Sequence, residues 1–392
     1  MRIAFLSARR LLSWVLVLLL PACIDPYTPD ILSAPRGFLV VDGFLNSQGV
    51  TTIRLSRTFA IAARPIPPAE TKATVYIEDE AGTRNLLREA PAGTYTSAAL
   101  TLNTARKYRL HVTTLAGQDY ASDYVPVKTT PPIDEVTWRV DNTGLNINVN
   151  AHDATTNTRY YRWETDETWE IRTPYSPTVE YVNKKMQDIL VPFPRVCWGN
   201  AHSRNILLYK TTALSQDVVS DYRVRQLIAP TPLLFARYSI LVQQYALTKE
   251  EFAYWELLRK NTESIGSLFD PQPAQLTGNV HCLSNSADLA LGFVGAHSLA
   301  EKRIFISRQQ LPRTWPISDG YERCVPPDTV FLYFPHAPLP AVTIEANFNP
   351  ATGLLPIDAL FKAGSVIGYT AKTRDCIDCR QRGASTKPSY WP

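Results

Sequence analysis

Six cysteines offer this chain most of its chemistry: Cys23, Cys197, Cys282, Cys324, Cys376 and Cys379. Two of them form a Cys-x-x-Cys motif, Cys376-Ile377-Asp378-Cys379. That spacing serves a redox pair, half of a zinc site, or disulfide bonding. A redox pair needs a strand-to-helix junction. Here the motif lies in the last seventeen residues, with no helical pattern after it. A zinc site needs two more ligands, which His281-Cys282 could supply only by folding across nearly a hundred residues. Without a second Cys-x-x-Cys or a paired histidine, the zinc reading is weakly supported. Disulfides are the expected use: with Cys23 set aside, Cys197, Cys282, Cys324, Cys376 and Cys379 are the candidates, an odd number that leaves at least one thiol free, bound elsewhere or paired between chains. The motif cysteines bond either to each other or to Cys197 or Cys324. At least one bridge should staple the tail to the body, contributing ~2–4 kcal/mol by restricting the unfolded chain.

Asp166, Glu167 and Glu170 form an acidic cluster beside Trp163 and Trp169. Paired carboxylates near aromatic rings suit glycoside hydrolysis. Solvated acids alternating along a strand edge explain the same residues and are the preferred reading. The six histidines, His111, His152, His202, His281, His297 and His336, show no paired metal spacing. His111 falls at a polar position of an alternating strand and reads as solvated. Nucleophile-elbow, phosphate-loop and dinucleotide motifs are absent. Ser264-Ile265-Gly266-Ser267 reads as a helix-ending turn. No catalytic residue, metal or cofactor is therefore expected.

The start of the chain has a different chemistry. Met1–Arg10 carries Arg2, Arg9 and Arg10 and no acid, and Leu11–Leu20 is a ten-residue, almost wholly apolar run. Ten residues rise about 15 Å as a helix, half the hydrocarbon core, so the run is too short to span a bilayer. Residues 1–22 read as a secretory signal cut before Cys23. Ala22-Cys23 resembles the lipobox of bacterial lipoproteins, in which the cysteine thiol receives diacylglycerol. Pro21 departs from the Ala, Ser or Thr usual in its slot. Residues 23–36, with Pro26 and Pro29, read as an extended, lipidated tether. No later stretch reaches 18 apolar residues.

Apolar residues make up 45% of the chain and charged residues 19%, enough for a core and against wholesale disorder. The formal charge of +4 includes the three leader arginines, which leaves a mature chain near +1. That balance gives no electrostatic case for nucleic acid.

Proline (30) outnumbers glycine (17), and short alternating runs dominate, so the elements that must position these residues are strands. Phe38–Gly43, Thr51–Arg57, Ala73–Asp79, Gly93–Ser97, Lys107–Thr113 and Tyr120–Val127 predict an N-terminal β-sandwich over residues 37–128. Thr129-Thr130-Pro131-Pro132 reads as a linker. Val136–Val140, Leu145–Asn150, Tyr160–Thr165 and Thr168–Ile171 open a second sandwich over residues 133–375. Phe193–Leu299 reads as a largely irregular, partly helical insertion in it. The convincing helix is Thr248–Glu263, where Thr248 and Glu251 form a capping-box pattern. Asn285–Leu291 reads as a short helical piece. Residues 376–392 form a cysteine-containing tail. The expected fold is mainly β: tandem immunoglobulin- or fibronectin-like sandwiches with a partly helical insertion in the second.

Several stretches carry a family resemblance: Leu39-Val40-Val41-Asp42-Gly43, Arg159–Glu164, Val196-Cys197-Trp198, Gly266–Asp270 running into Gly278-Asn279-Val280, Lys302–Ile306 and the tail Cys376–Arg380 with Tyr390-Trp391. In combination the chain resembles the domain-of-unknown-function 4249 lipoproteins of Bacteroidota-type envelopes. The resemblance implies an outer-membrane lipoprotein, often encoded beside TonB-dependent receptors. It implies no activity and no functional residues. The expected role is therefore a membrane-anchored binding or accessory component, with a TonB-dependent receptor as its partner. An adhesin-type structural protein is the alternative, and an envelope hydrolase acting through Asp166 and Glu167 comes third.

Overall fold

Period-two burial builds the first unit. β1 (Leu39–Asn46) buries Leu39, Val41 and Leu45, and β2 (Gln48–Arg57) buries Thr51, Ile53 and Leu55. Then come β3 (Thr74–Asp79), β4 (Arg84–Glu89), β5 (Thr94–Thr101), β6 (Lys107–Thr113), β7 (Asp119–Ser122) and β8 (Val125–Lys128). The structure is a computed structural model and describes residues 37–59, 66–263, 276 and 278–392. The leader, Cys23, the tether and the Ser264–Ser267 turn lie outside the described residues.

The chain continues with β9 (Ile133–Asp141), β10 (Gly144–His152), β11 (Tyr160–Arg172), a small hairpin of β12 (Val179–Val182) and β13 (Lys185–Asp188), then β14 (Val196–His202), β15 (Leu207–Lys210), β16 (Val218–Leu227) and β17 (Arg237–Ala246). Helix α1 (Lys249–Glu263) follows, then β18 (Val280–Cys282), β19 (Ala290–Leu291), β20 (Ala296–His297) and β21 (Leu299–Ser307). β22 (Asp328–Phe331), α2 (Pro340–Phe348), β23 (Leu354–Lys362) and β24 (Ser365–Thr373) complete the strands and α-helices among the described residues.

The fold is mainly β, in several sheets. The first unit's strands run β6-β3-β4-β5-β2-β1, and β20 lies between β1 and β8. β8 also pairs with β6, so the sheet closes on itself. β20 arrives from beyond α1 and pairs in parallel with both β1 and β8. β18 extends the sheet beside β7, and β19 lies parallel to β1. Val280, Cys282, Val294 and Ala296 enter the first core with Leu39, Ile53 and Tyr95. Gly292, at φ 127°, permits this close approach: a Cβ there would sit 2.1 Å from the Val41 carbonyl oxygen.

The second unit is two facing sheets, β16-β10-β9 and β14-β11-β17-β21, with β15 beside β11. Leu145, Ile147 and Val149 on β10 meet Tyr161 and Trp163 on β11 and Tyr238, Ile240 and Val242 on β17. Trp163 is fully buried, and its Nε1 donates to Gln244 Oε1 at 2.9 Å. The Gln244 amide in turn donates to the Pro131 carbonyl at 2.8 Å, which ties the linker to this core.

The structure corrects the insertion reading. Residues 193–299 are not irregular, since they supply β14 to β17 of the second unit and β18 to β20 of the first. Two irregularities in the β10–β16 register break the alternation, and β17 is largely buried along both faces. Period-two patterning is therefore missing where these strands lie. Asn285–Leu291 is not helical. Asn285 Oδ1 accepts from the Ala287 amide at 3.1 Å, a local turn that competes with helix. α1 starts where the capping box predicts, with the Glu251 amide donating to Thr248 Oγ1 at 3.1 Å.

Residues 328–373 also depart from the second-sandwich reading. They form a separate three-stranded sheet, β22-β24-β23, covered by α2 and the β12–β13 hairpin. Leu332, Phe348, Tyr369 and Ala371 make its small core.

Candidate functional site

The acidic cluster lies on β11, an interior strand between β14 and β17 rather than an edge. Strand alternation sends its carboxylates to opposite faces. Glu167 is buried, accepts the Tyr238 hydroxyl at 2.8 Å and pairs with Arg225 Nε at 2.8 Å. Burial, with Glu167 alongside, holds the Tyr238 hydroxyl well above its usual pKa. On the outer face Asp166 accepts Asn200 Nδ2 at 2.6 Å, and Glu170 pairs with Arg172 Nε at 2.5 Å. Each carboxylate is thus engaged by its neighbours, and Glu167 faces away from the other two.

His111 is buried rather than solvated. Its ring stacks on Tyr76 at 4.5 Å, with Nε2 3.3 Å from Asp119. Burial pushes its pKa down, and Asp119 opposes this only in part. His297 is fully buried where the two units meet. It stacks on Phe44 at 4.3 Å and lies 3.5 Å from Glu251 of α1.

The cysteines of the motif bond separately, to distant partners. Cys379 is joined to Cys197 and Cys376 to Cys324. The candidate Cys282 is not in a disulfide. It is buried in the first core, its thiol 3.3 Å from Ser284 Oγ, while the four bonded cysteines cluster under the second unit. That separation also leaves His281-Cys282 away from the motif. Cys324, Asp375 and Cys376 are near enough together to suggest metal ligands, but both sulfurs are taken by their bridge. Asp378, between the motif cysteines, is fully buried and receives Arg380 Nε at 2.7 Å and Nη2 at 2.8 Å. The Arg380 guanidinium holds its carboxyl below the usual range.

These bonds direct the tail across the outer face of the second unit. Ala384 exchanges backbone hydrogen bonds with Trp198 at 2.8 and 2.9 Å. Gly383 lies so close that a Cβ would sit 2.5 Å from the Trp198 carbonyl oxygen. The Tyr390 ring covers the Arg303 guanidinium at 3.7 Å, and its hydroxyl is 2.8 Å from that of Thr168. Trp391 sets its ring edge-on to Trp198 and Phe305.

Between tail and sheet lies an open cleft of ≈ 430 Å³ bordered by Arg172, Arg237, Arg308, Lys387, Trp198 and Trp391. Glu170 is the one carboxylate side chain in its lining, and Arg172 occupies it. Arg237 donates to the terminal oxygen of Pro392 at 3.5 Å and Arg308 to the Trp315 carbonyl at 3.4 Å. Of the four cations, Arg172 pairs with Glu170 and Arg237 with the terminal oxygen of Pro392, while Arg308 and Lys387 form no ion pair among the described residues. Sequence reading missed this cleft because the cations come from four separate segments.

A second surface lies on the small C-terminal unit. Phe331, Tyr333, Phe334, Leu339, Val342 and Phe361 are each more than half exposed. Phe331 pairs with Gly368 on the sheet face opposite Val330 and Tyr369, which pack inward. Among the described residues, no helix is long and apolar enough to cross a membrane.

The family described as Domain of unknown function (DUF4249) matches residues 24–303, so the C-terminal unit and the tail lie beyond the matched stretch. No curated protein matches the chain. A solved structure described as "Biofilm associated protein - BSP domain" aligns at 8% identity over 74% of this chain and 62% of its own, with a TM-score of 0.15. The chain thus spans less than two thirds of that structure, and so loose a superposition carries no argument. The match over residues 24–303 settles the family: this chain belongs to the domain-of-unknown-function 4249 family.

Proposed function

We propose that this chain is an outer-membrane lipoprotein, anchored through acylated Cys23, that binds or assembles rather than catalyses. The observation that carries the reading is the apolar run Leu11–Leu20, too short to span and ending at Ala22-Cys23. Two disulfides in the body suit an oxidising exported compartment. The engagement of Asp166, Glu167 and Glu170 in internal pairs supports a non-catalytic role. The partner in this reading is a TonB-dependent outer-membrane receptor, met by the exposed aromatic surface of the C-terminal unit. Large apolar side chains left exposed in number on one small unit mark interaction sites.

Two measurements test it. Cys23→Ala should move the protein from the membrane to the soluble fraction, and equal membrane retention would count against the anchor. The tagged wild-type protein should co-purify in mild detergent with a receptor barrel, and a variant carrying Phe331→Ser, Phe334→Ser and Phe361→Ser should not. Recovery of both proteins alone, or of the barrel with both, would end the docking reading.

A further inference from the structure

We propose that the cleft between the tail and the second unit is a binding site for a small oxyanion-bearing ligand, a phosphate ester or a polycarboxylate. Its volume, ≈ 430 Å³, lies within the range of about 300–1,000 Å³ usual for small-ligand sites. Two cations, Arg308 and Lys387, border it without an ion-pair partner among the described residues, Arg237 reaches the terminal oxygen of Pro392 at 3.5 Å at its edge, and its lone carboxylate side chain is spent on Arg172. Like charges gathered around one concavity repel, and a bound anion relieves that repulsion. Guanidinium forks match the planar or tetrahedral oxygens of carboxylate and phosphate.

The site is also held in place. Arg237 pairs with Ser307 across β17 and β21, and the Arg308 amide donates to the Ala236 carbonyl at 2.9 Å, so both arginines stand on paired backbone. Lys387 is brought over them by the Cys197–Cys379 bond and the Trp198–Ala384 bridge. The tail thus supplies one wall, and the cleft is incomplete without it. This inference does not depend on the membrane anchor or on the receptor partner.

The test is calorimetric titration of the oxidised soluble body with glucose 6-phosphate, citrate and uncharged glucose, with vesicles containing phosphatidylglycerol as a separate arm. Glucose 6-phosphate or citrate should bind saturably, at least about tenfold more tightly than glucose, and weaken with salt. Binding confined to the vesicles identifies a lipid headgroup as the source of the anion, and binding of the free anions identifies a soluble ligand. The Arg237→Ala, Arg308→Ala double variant should bind about tenfold or more weakly in either arm. If that variant does not fold, Lys387→Glu, at an exposed position, provides the same comparison. Equal affinity for glucose and its phosphate, wild-type affinity in the folded variants, or no saturable binding in any arm overturns the proposal.

Discussion

Two regions of this protein hold a distant stretch of chain against a β body, and they do it by different means. In the first unit, residues 280–297 join the sheet through backbone pairing, burial and side-chain hydrogen bonds such as Tyr120 Oη to Asp288 at 2.7 Å, with no covalent link, and Cys282 remains unbonded in its core. Their core includes Val280, Val294 and Ala296 among many aliphatic neighbours, and Asn279 clips both backbone groups of Val294 at 2.8 and 3.1 Å. The tail packs instead into a cluster of Ile171, Tyr321 and four bonded cysteines. Where apolar burial is ample, no covalent link is present. Where the local core is small, cystine sulfur replaces aliphatic packing and covalent bonds limit the unfolded chain.

The largest effect should come from the first region. Val294→Asp buries a charge with no partner in that core and should cost about 4 kcal/mol or more in denaturant unfolding. A near-wild-type midpoint would show that residues 280–297 are not integral to the first unit. Next, the Cys197→Ser, Cys379→Ser pair should cost ~2–4 kcal/mol and expose the tail amides to hydrogen exchange, with the first unit unchanged. Loss of the Cys324–Cys376 bond, which closes 52 residues rather than 182, should cost about 1 kcal/mol less in the chain-entropy account.

A smaller effect is tied to pH. The Asp378 carboxyl is depressed in the folded tail, so its stabilisation is full above its ordinary value of 3.8 and is lost as the pH falls through the lower folded value. Tail protection should decline below about pH 4 by ~1.5–3 kcal/mol, the worth of a charge-assisted pair. Asp378→Asn should remove that acid dependence, and an unchanged profile would dissociate Arg380 from tail stability. The smallest effect is Cys282→Ala, which should cost about 1 kcal/mol and leave the tail untouched.

Much of the first unit was legible because its strands are half-buried, and Ile53, Leu55 and their neighbours alternate cleanly with polar residues. The start of α1 was legible for a similar local reason, the Thr248–Glu251 box. β16 and β17 were not, because bulged pairing and two-sided burial erase the alternation. The transfer of residues 280–297 to the first unit is a long-range event that no local pattern announces. α2 was hidden behind Pro338 and Pro340, of which Pro340 serves as a helix start. In the cleft, Arg172 and Lys387 are 215 positions apart in the chain and meet only because of the tail's bonds.

The most direct test of the account is peptide mass spectrometry, without reduction, of the protein purified from its native membranes. The expected N-terminal peptide starts at Cys23 and carries the mass of a diacylglyceryl group, while linked peptides join Cys197 to Cys379 and Cys324 to Cys376. An intact leader, or an unmodified Cys23, would contradict the anchored reading.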